Sequence, residues 1–221
     1  MDPMLNELRK WLLREHSDTV CADRLRAIAD ELADLTARGL PGAVVELGSY
    51  RGATALWIRS VLDSLGDRGR EIHVYDSFQG MPVPGVEESD HLAVGELWSS
   101  PDDVRTTHAA WGTPAPVIHP GWFAETLPTD LPDEIAFAYL DGDFYASTLT
   151  ALTHCVPRLV PTGVLLVDDY ADTVANPRAW DGLPGVKRAC DAYFGTPSPV
   201  TVVVGEGALA LGRYEKPECP A

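Results

Sequence analysis

Apolar residues recur at helical spacing near the start of the chain, as Leu5, Leu8 and Leu12 and again as Leu25, Ile28, Leu32 and Leu35. The spacing predicts helices over residues 4–15 and 19–38, the second stopped by Gly39-Leu40-Pro41-Gly42, so that residues 1–42 form an N-terminal helical cap. The period then changes. Val44-Val45-Glu46-Leu47-Gly48 is a short apolar run closed by glycine, Ala53 to Leu65 reads as a helix, and Ile72 to Asp76 is a second run ending in an acid. Strand, tight turn, helix and strand make a βαβ unit.

The pattern lapses between Ser77 and Ala115, where glycines, prolines and acids surround a short helix expected near Pro101 to Ala110. So long a stretch inside a folded unit is usually a binding insertion, and residues 79–115 are expected to form a lid. Regularity then returns. Pro116 to His119, Ile135 to Leu140 and Val164 to Val167 read as strands, and Tyr145 to Leu159 and Val186 to Phe194 as helices. Val200 to Val204 and Ala208 to Leu211 flank Gly205-Glu206-Gly207 as a β-hairpin. Together these predict an α/β fold, one domain over residues 1–221 built on a doubly wound, Rossmann-like parallel sheet with an antiparallel C-terminal strand. Ligands of such sheets sit outside the carboxyl ends of the strands.

Two constellations fall at those ends. Glu46-Leu47-Gly48-Ser49-Tyr50-Arg51-Gly52 occupies the first strand-to-helix turn, where Gly48 and Gly52 let backbone approach a ligand. A dinucleotide fingerprint needs glycine at positions 50 and 53, where Tyr50 and Ala53 stand. Asp76, ending the next strand, is placed to accept hydrogen bonds from a ribose diol, so the pair favours a nucleoside-bearing ligand. The second constellation is Asp141-Gly142-Asp143 with Asp168-Asp169, closing two strands expected to be neighbours. Converging carboxylates repel or take up protons unless a cation sits among them, and oxygen-only ligands suit Mg²⁺, Mn²⁺ or Ca²⁺.

Other residues are weaker candidates. Trp98, Trp111 and Trp180 lie in loop-like segments that could cover a ligand, whereas Trp11 and Trp57 look like helix core. His91 and His108 fall in the expected lid, His73 within a strand, and His119 at a strand end near the crevice. Glu87-Glu88 and Asp102-Asp103 read as solvated faces.

Charge and cysteine usage narrow the partners. Seventeen basic against 33 acidic residues give a formal charge of −16, which disfavours nucleic acid and anionic membrane. Cys21, Cys155, Cys190 and Cys219 are widely spaced and form no C-x-x-C pair, which fits a reducing cytoplasm rather than a disulfide or zinc scaffold. Residues 1–15 carry charges throughout and lack an apolar signal core, so neither export nor membrane insertion is expected.

The stretches VVELGSYRGATA, HVYDSFQGMP, GWFAETLP, YLDGDFYASTLTAL, GVLLVDDY and GVKRACDAYF, in this order, resemble the macrocin O-methyltransferase family. These are class I S-adenosylmethionine-dependent, metal-dependent enzymes that methylate sugar hydroxyls of antibiotics. The resemblance implies S-adenosylmethionine as cofactor, Mg²⁺ as metal and a glycosylated natural product as acceptor, in a homo-oligomer. It further implies that Glu46, Gly48, Ser49, Asp76 and Ser77 line the cofactor, with Gly121 and Trp122 near the adenine. By the same resemblance Asp141, Asp168 and Asp169 bind the metal and Asp143 is the general base. A catechol-type O-methyltransferase, a dinucleotide-binding oxidoreductase and an inactive cofactor-binding protein are the alternatives.

Overall fold

The computed structural model describes residues 3–218, so Cys219 lies outside it. Helices α1 (Pro3–Glu15) and α2 (Ala22–Ala37) bury the leucines and isoleucine predicted from their spacing. Both pack on α3 (Ala53–Ser64), where the indole N–H of Trp57 donates to the Leu25 carbonyl at 2.8 Å. The parallel strands β1 (Ala43–Leu47), β2 (Ile72–Asp76), β3 (Val117–Pro120), β4 (Ile135–Leu140) and β5 (Leu159–Asp168) alternate with helices α4 (Pro101–Ala110), α5 (Phe123–Asp130) and α6 (Tyr145–Arg158). Helix α7 (Pro184–Phe194) and strands β6 (Thr201–Val202) and β7 (Leu211–Glu215) follow.

The sheet order is β3-β2-β1-β4-β5-β7-β6, with β7 antiparallel to β5. All five residues of β1 and all six of β4 are buried, as expected of strands covered on both faces. Successive side chains serve different layers. Val44, Phe137, Tyr139, Val164 and Leu166 pack with α1, α2 and α3, whereas Val45, Ala138, Leu140, Leu165 and Val167 pack with α5, α6 and α7. From β1 the chain runs outward through β2 to β3 and then returns to β4 on the other side of β1. The ends of β1 and β4, paired at Leu47 and Leu140, are therefore where a ligand crevice opens.

Four expectations change. Helix α5 was not predicted, because Pro128 lies inside it and only Thr126 and Leu127 are buried. Strand β5 begins at Leu159 rather than at Val164, its pairing with β4 shifting register across Pro161–Gly163. The second hairpin arm is Leu211–Glu215 rather than 208–211. The expected lid divides: residues 101–115 belong to the scaffold. Ser100 and Asp103 form a capping box on α4, Val104 packs under Gly52, and Trp111 stacks edge-on to a half-buried Trp11 at 5.6 Å rather than over a ligand.

Candidate functional site

The crevice is a cavity of about 610 Å³ between the β1 and β4 ends, within the range of small-molecule sites. One side is built by the turn after β1. Gly48 has φ 89°, and a Cβ there would stand 1.8 Å from the Asp141 carbonyl oxygen, so only glycine lets the two strand ends approach. Tyr50 follows at φ 46°, a left-handed conformation held from outside. The holder is Asp76, whose Oδ2 accepts the Ser49 and Tyr50 N–H groups at 2.9 and 2.8 Å while Oδ1 accepts that of Phe78 at 2.8 Å.

Two buried polar atoms of this turn lack protein partners, Oε2 of Glu46 and Oγ of Ser49, and both residues line the cavity. Burial raises the Glu46 carboxyl pKa to about 8. Buried polar atoms normally find partners, and a ligand in the cavity could supply them here. Ser77 and Trp122 also line the cavity. Gly52 and Gly121, expected against the cofactor, are not on its wall: Gly52 makes room for Val104, and a Cβ on Gly121 would meet the Thr126 methyl.

The acids assemble differently from the expected set. Asp141, Asp143 and Asp169 each offer a carboxylate oxygen within 4.8 Å of the others. Alternation within a strand does not bring Asp143 to Asp141, since β4 ends at Leu140; Asp143 turns in at φ 57° and Asp169 at φ 55°. Asp168 is the last residue of β5 and shares the face of Leu166, toward α2. There its carboxylate accepts from Arg24 Nε at 2.7 Å and from the Tyr139 hydroxyl, outside the trio. Arg24 also donates from Nη2 to Asp169 at 2.8 Å. Burial, and then the charge of Asp168, push the carboxyls of Asp141 and Asp169 well above the usual range and that of Asp143 to about 7. An all-oxygen set in this state fits a hard divalent cation, which would relieve the repulsion.

The remaining candidates scatter. His119 stacks on Tyr75 at 4.4 Å and pairs with His73 at 3.0 Å, off the cavity wall. His108 is fully buried, its Nδ1 next to the Pro114 carbonyl at 2.9 Å. Trp98 is exposed and off the wall, whereas His91 and Trp180 line it. Glu88 is no solvated residue: its Oε1 accepts the Tyr145 N–H at the start of α6, and a Cβ on Gly185 would collide with its carboxylate. Sequence reasoning missed Arg24 and Tyr139. Nothing in a single arginine on an amphipathic helix signals a contact 144 residues away.

Among the described residues no helix is long and apolar enough to cross a membrane, and Cys21, Cys155 and Cys190 are free thiols.

Residues 14–186 match the family described as Macrocin-O-methyltransferase (TylF). A relative from Streptomyces olivaceus, an 8-demethyl-8-(2,3-dimethoxy-alpha-L-rhamnosyl)-tetracenomycin-C 4'-O-methyltransferase, is 38% identical over 78% of this chain and 67% of its own length. The mycinamicin III 3''-O-methyltransferase of Micromonospora griseorubida is 34% identical over 60% of this chain, and the match spans 56% of that relative. Among solved structures, the O-methyltransferase NovP superposes with a TM-score of 0.73 at 27% identity, covering 89% of this chain and 80% of that one. The calicheamicin methyltransferase CalS11 shares the fold, with a TM-score of 0.70 at 19% identity over 96% of this chain and 91% of that one.

Proposed function

Because the chain belongs to the macrocin O-methyltransferase family, matching it over residues 14–186, we propose that it is an S-adenosylmethionine-dependent O-methyltransferase whose acceptor is a sugar hydroxyl of an antibiotic or related natural product. The observation that carries this reading is one cavity joining the Gly48 turn, Glu46 and Asp76 to the Asp141, Asp143 and Asp169 trio. Cofactor and nucleophile must meet in one enclosure for an in-line methyl transfer. The family match and the broken glycine spacing at Tyr50 and Ala53 together argue against a dinucleotide oxidoreductase.

In this mechanism the partnerless atoms of Glu46 and Ser49 receive polar groups of the cofactor, Asp76 fixes the turn that faces the ribose, and Ser77 and Trp122 complete the wall. Asp141 and Asp169 are the residues that would hold a divalent ion, Mg²⁺ in the first place with Mn²⁺ or Ca²⁺ as alternatives. When bound, that ion lowers the pKa of the acceptor hydroxyl. Asp168 acts through Arg24, which it shares with Asp169, rather than as a ligand. Asp143 takes the hydroxyl proton as the oxygen attacks the methyl carbon, the sulfur–methyl bond breaking with its electron pair left on sulfur. The same reading carries an assembly of identical subunits, which light scattering checks.

The test is methyl transfer from labelled S-adenosylmethionine to a panel of glycosylated natural products and their aglycones, with Mg²⁺ and with EDTA. Transfer to the glycosides alone is expected. Transfer to aglycone or catechol hydroxyls, with the glycosides inert, would overturn the sugar assignment.

A further inference from the structure

The cavity has an apolar wall that the cofactor and the acids do not account for. It is made by Met81, Leu92 and Leu97 from the 79–100 segment and by Trp180 and Leu183 from the loop before α7. We infer that Trp180, braced by His91, is the platform on which the acceptor's sugar ring lies. The inference deepens the proposed function and rests on it for the identity of the site.

The platform is built rather than incidental. A Cβ on Gly182 would stand 2.0 Å from Trp180 Cζ2, so glycine is what lets the indole lie against the backbone. The Trp180 N–H donates to the Ala208 carbonyl at 2.9 Å, which fixes the base of the side chain. The His91 ring meets the indole edge-on at 4.8 Å and 68°. The Ser89 hydroxyl donates to the Gly182 carbonyl and ties the two segments together, while Glu88 accepts the Tyr145 N–H and ties the first of them to the start of α6. Yet Trp180 is 37% exposed while lining the cavity, so part of a large aromatic surface stays available. Pyranose rings present a flat face of C–H groups, and aromatic faces take such positive edges.

Met81, Leu92 and Leu97 extend the wall in apolar side chains, so a glycoside with an apolar substituent fits the same cavity.

The experiment is saturation-transfer NMR and titration with phenyl α-L-rhamnopyranoside, in the presence of S-adenosylhomocysteine and Mg²⁺. The phenyl glycoside is expected to bind through its ring C–H protons. Trp180→Ala should weaken glycoside binding by about tenfold and Trp180→Phe much less, with S-adenosylhomocysteine affinity unchanged in both. Undiminished glycoside binding in Trp180→Ala, or no glycoside binding by the folded wild type, would overturn the inference. Because binding is read without turnover, Trp180-dependent glycoside binding coupled with no methyl transfer to any sugar would overturn the proposed function and leave the platform standing.

Discussion

Arg24 and Asp168 are 144 residues apart in sequence, yet the guanidinium Nε lies 2.7 Å from a carboxylate that is almost wholly buried. The N-terminal helical pair is thereby part of the acid site. Removing one partner of such a pair leaves the other charge buried without compensation, which costs about 3 kcal/mol. Arg24→Ala should lose stability on that scale in urea unfolding, and it should weaken Mn²⁺ binding by freeing Asp169 to shift. Arg24→Lys, unable to reach two carboxylates at once, should recover only part of either. Unchanged unfolding for Arg24→Ala would reduce the contact to surface decoration.

Asp76 binds three backbone N–H groups, those of Ser49, Tyr50 and Phe78. Asp76→Ala would release Tyr50 from its left-handed conformation and dismantle the turn beside Glu46. Calorimetry should register a loss of S-adenosylhomocysteine affinity of about 1–3 kcal/mol together with a lower Tm. An affinity loss without any change in Tm would assign Asp76 to direct ribose contact instead of turn geometry.

The elements legible in the sequence share a physical trait. Strands β2 and β4 end where expected because each is a buried apolar run bounded by breakers or acids, and α4 because Ser100, Pro101 and Asp103 write its start. Helix α5 was hidden by Pro128, and the start of β5 by Pro161 and Gly163. In the site, that acids would meet was legible from their positions after strands. Which acids would meet was not, since this depends on the facing of Asp168 toward α2 and on the left-handed turns at Asp143 and Asp169. The Asp168 carboxylate is held by tertiary partners, Arg24 and Tyr139, that no spacing reveals.

His108 gives a pH dependence independent of catalysis. Burial lowers its pKa from 6.5 to about 4, so the folded protein keeps it neutral where the unfolded chain would take a proton. Its contribution to stability is therefore full above pH 6.5 and is lost as pH falls toward about 4, amounting to about 3 kcal/mol over that window. His108→Phe removes the titrating group. Urea unfolding at several pH values should show a flatter acid limb for the variant than for the parent; parallel limbs would mean that His108 is accessible to protons in the fold.

Asp143 is assigned to proton removal although its carboxylate stands within 4.8 Å of both Asp141 and Asp169, so the roles must be separated by experiment. Asp143→Asn keeps the shape and removes the base. Turnover should fall by about 10²–10⁴-fold, while Mn²⁺ and S-adenosylhomocysteine affinities measured by calorimetry stay near the parental values. Asp141→Asn should act in the other order, weakening the metal first and recovering part of its activity at high Mg²⁺. EDTA should abolish transfer by the parent, and full activity in a chelated preparation would return all three acids to a structural role. His119 offers no substitute base, since it is stacked on Tyr75 and lies off the cavity wall. A near-parental rate for Asp143→Asn would therefore hand the proton to solvent, and a metal defect in that variant with sound turnover at saturating Mg²⁺ would exchange the roles of Asp143 and Asp141.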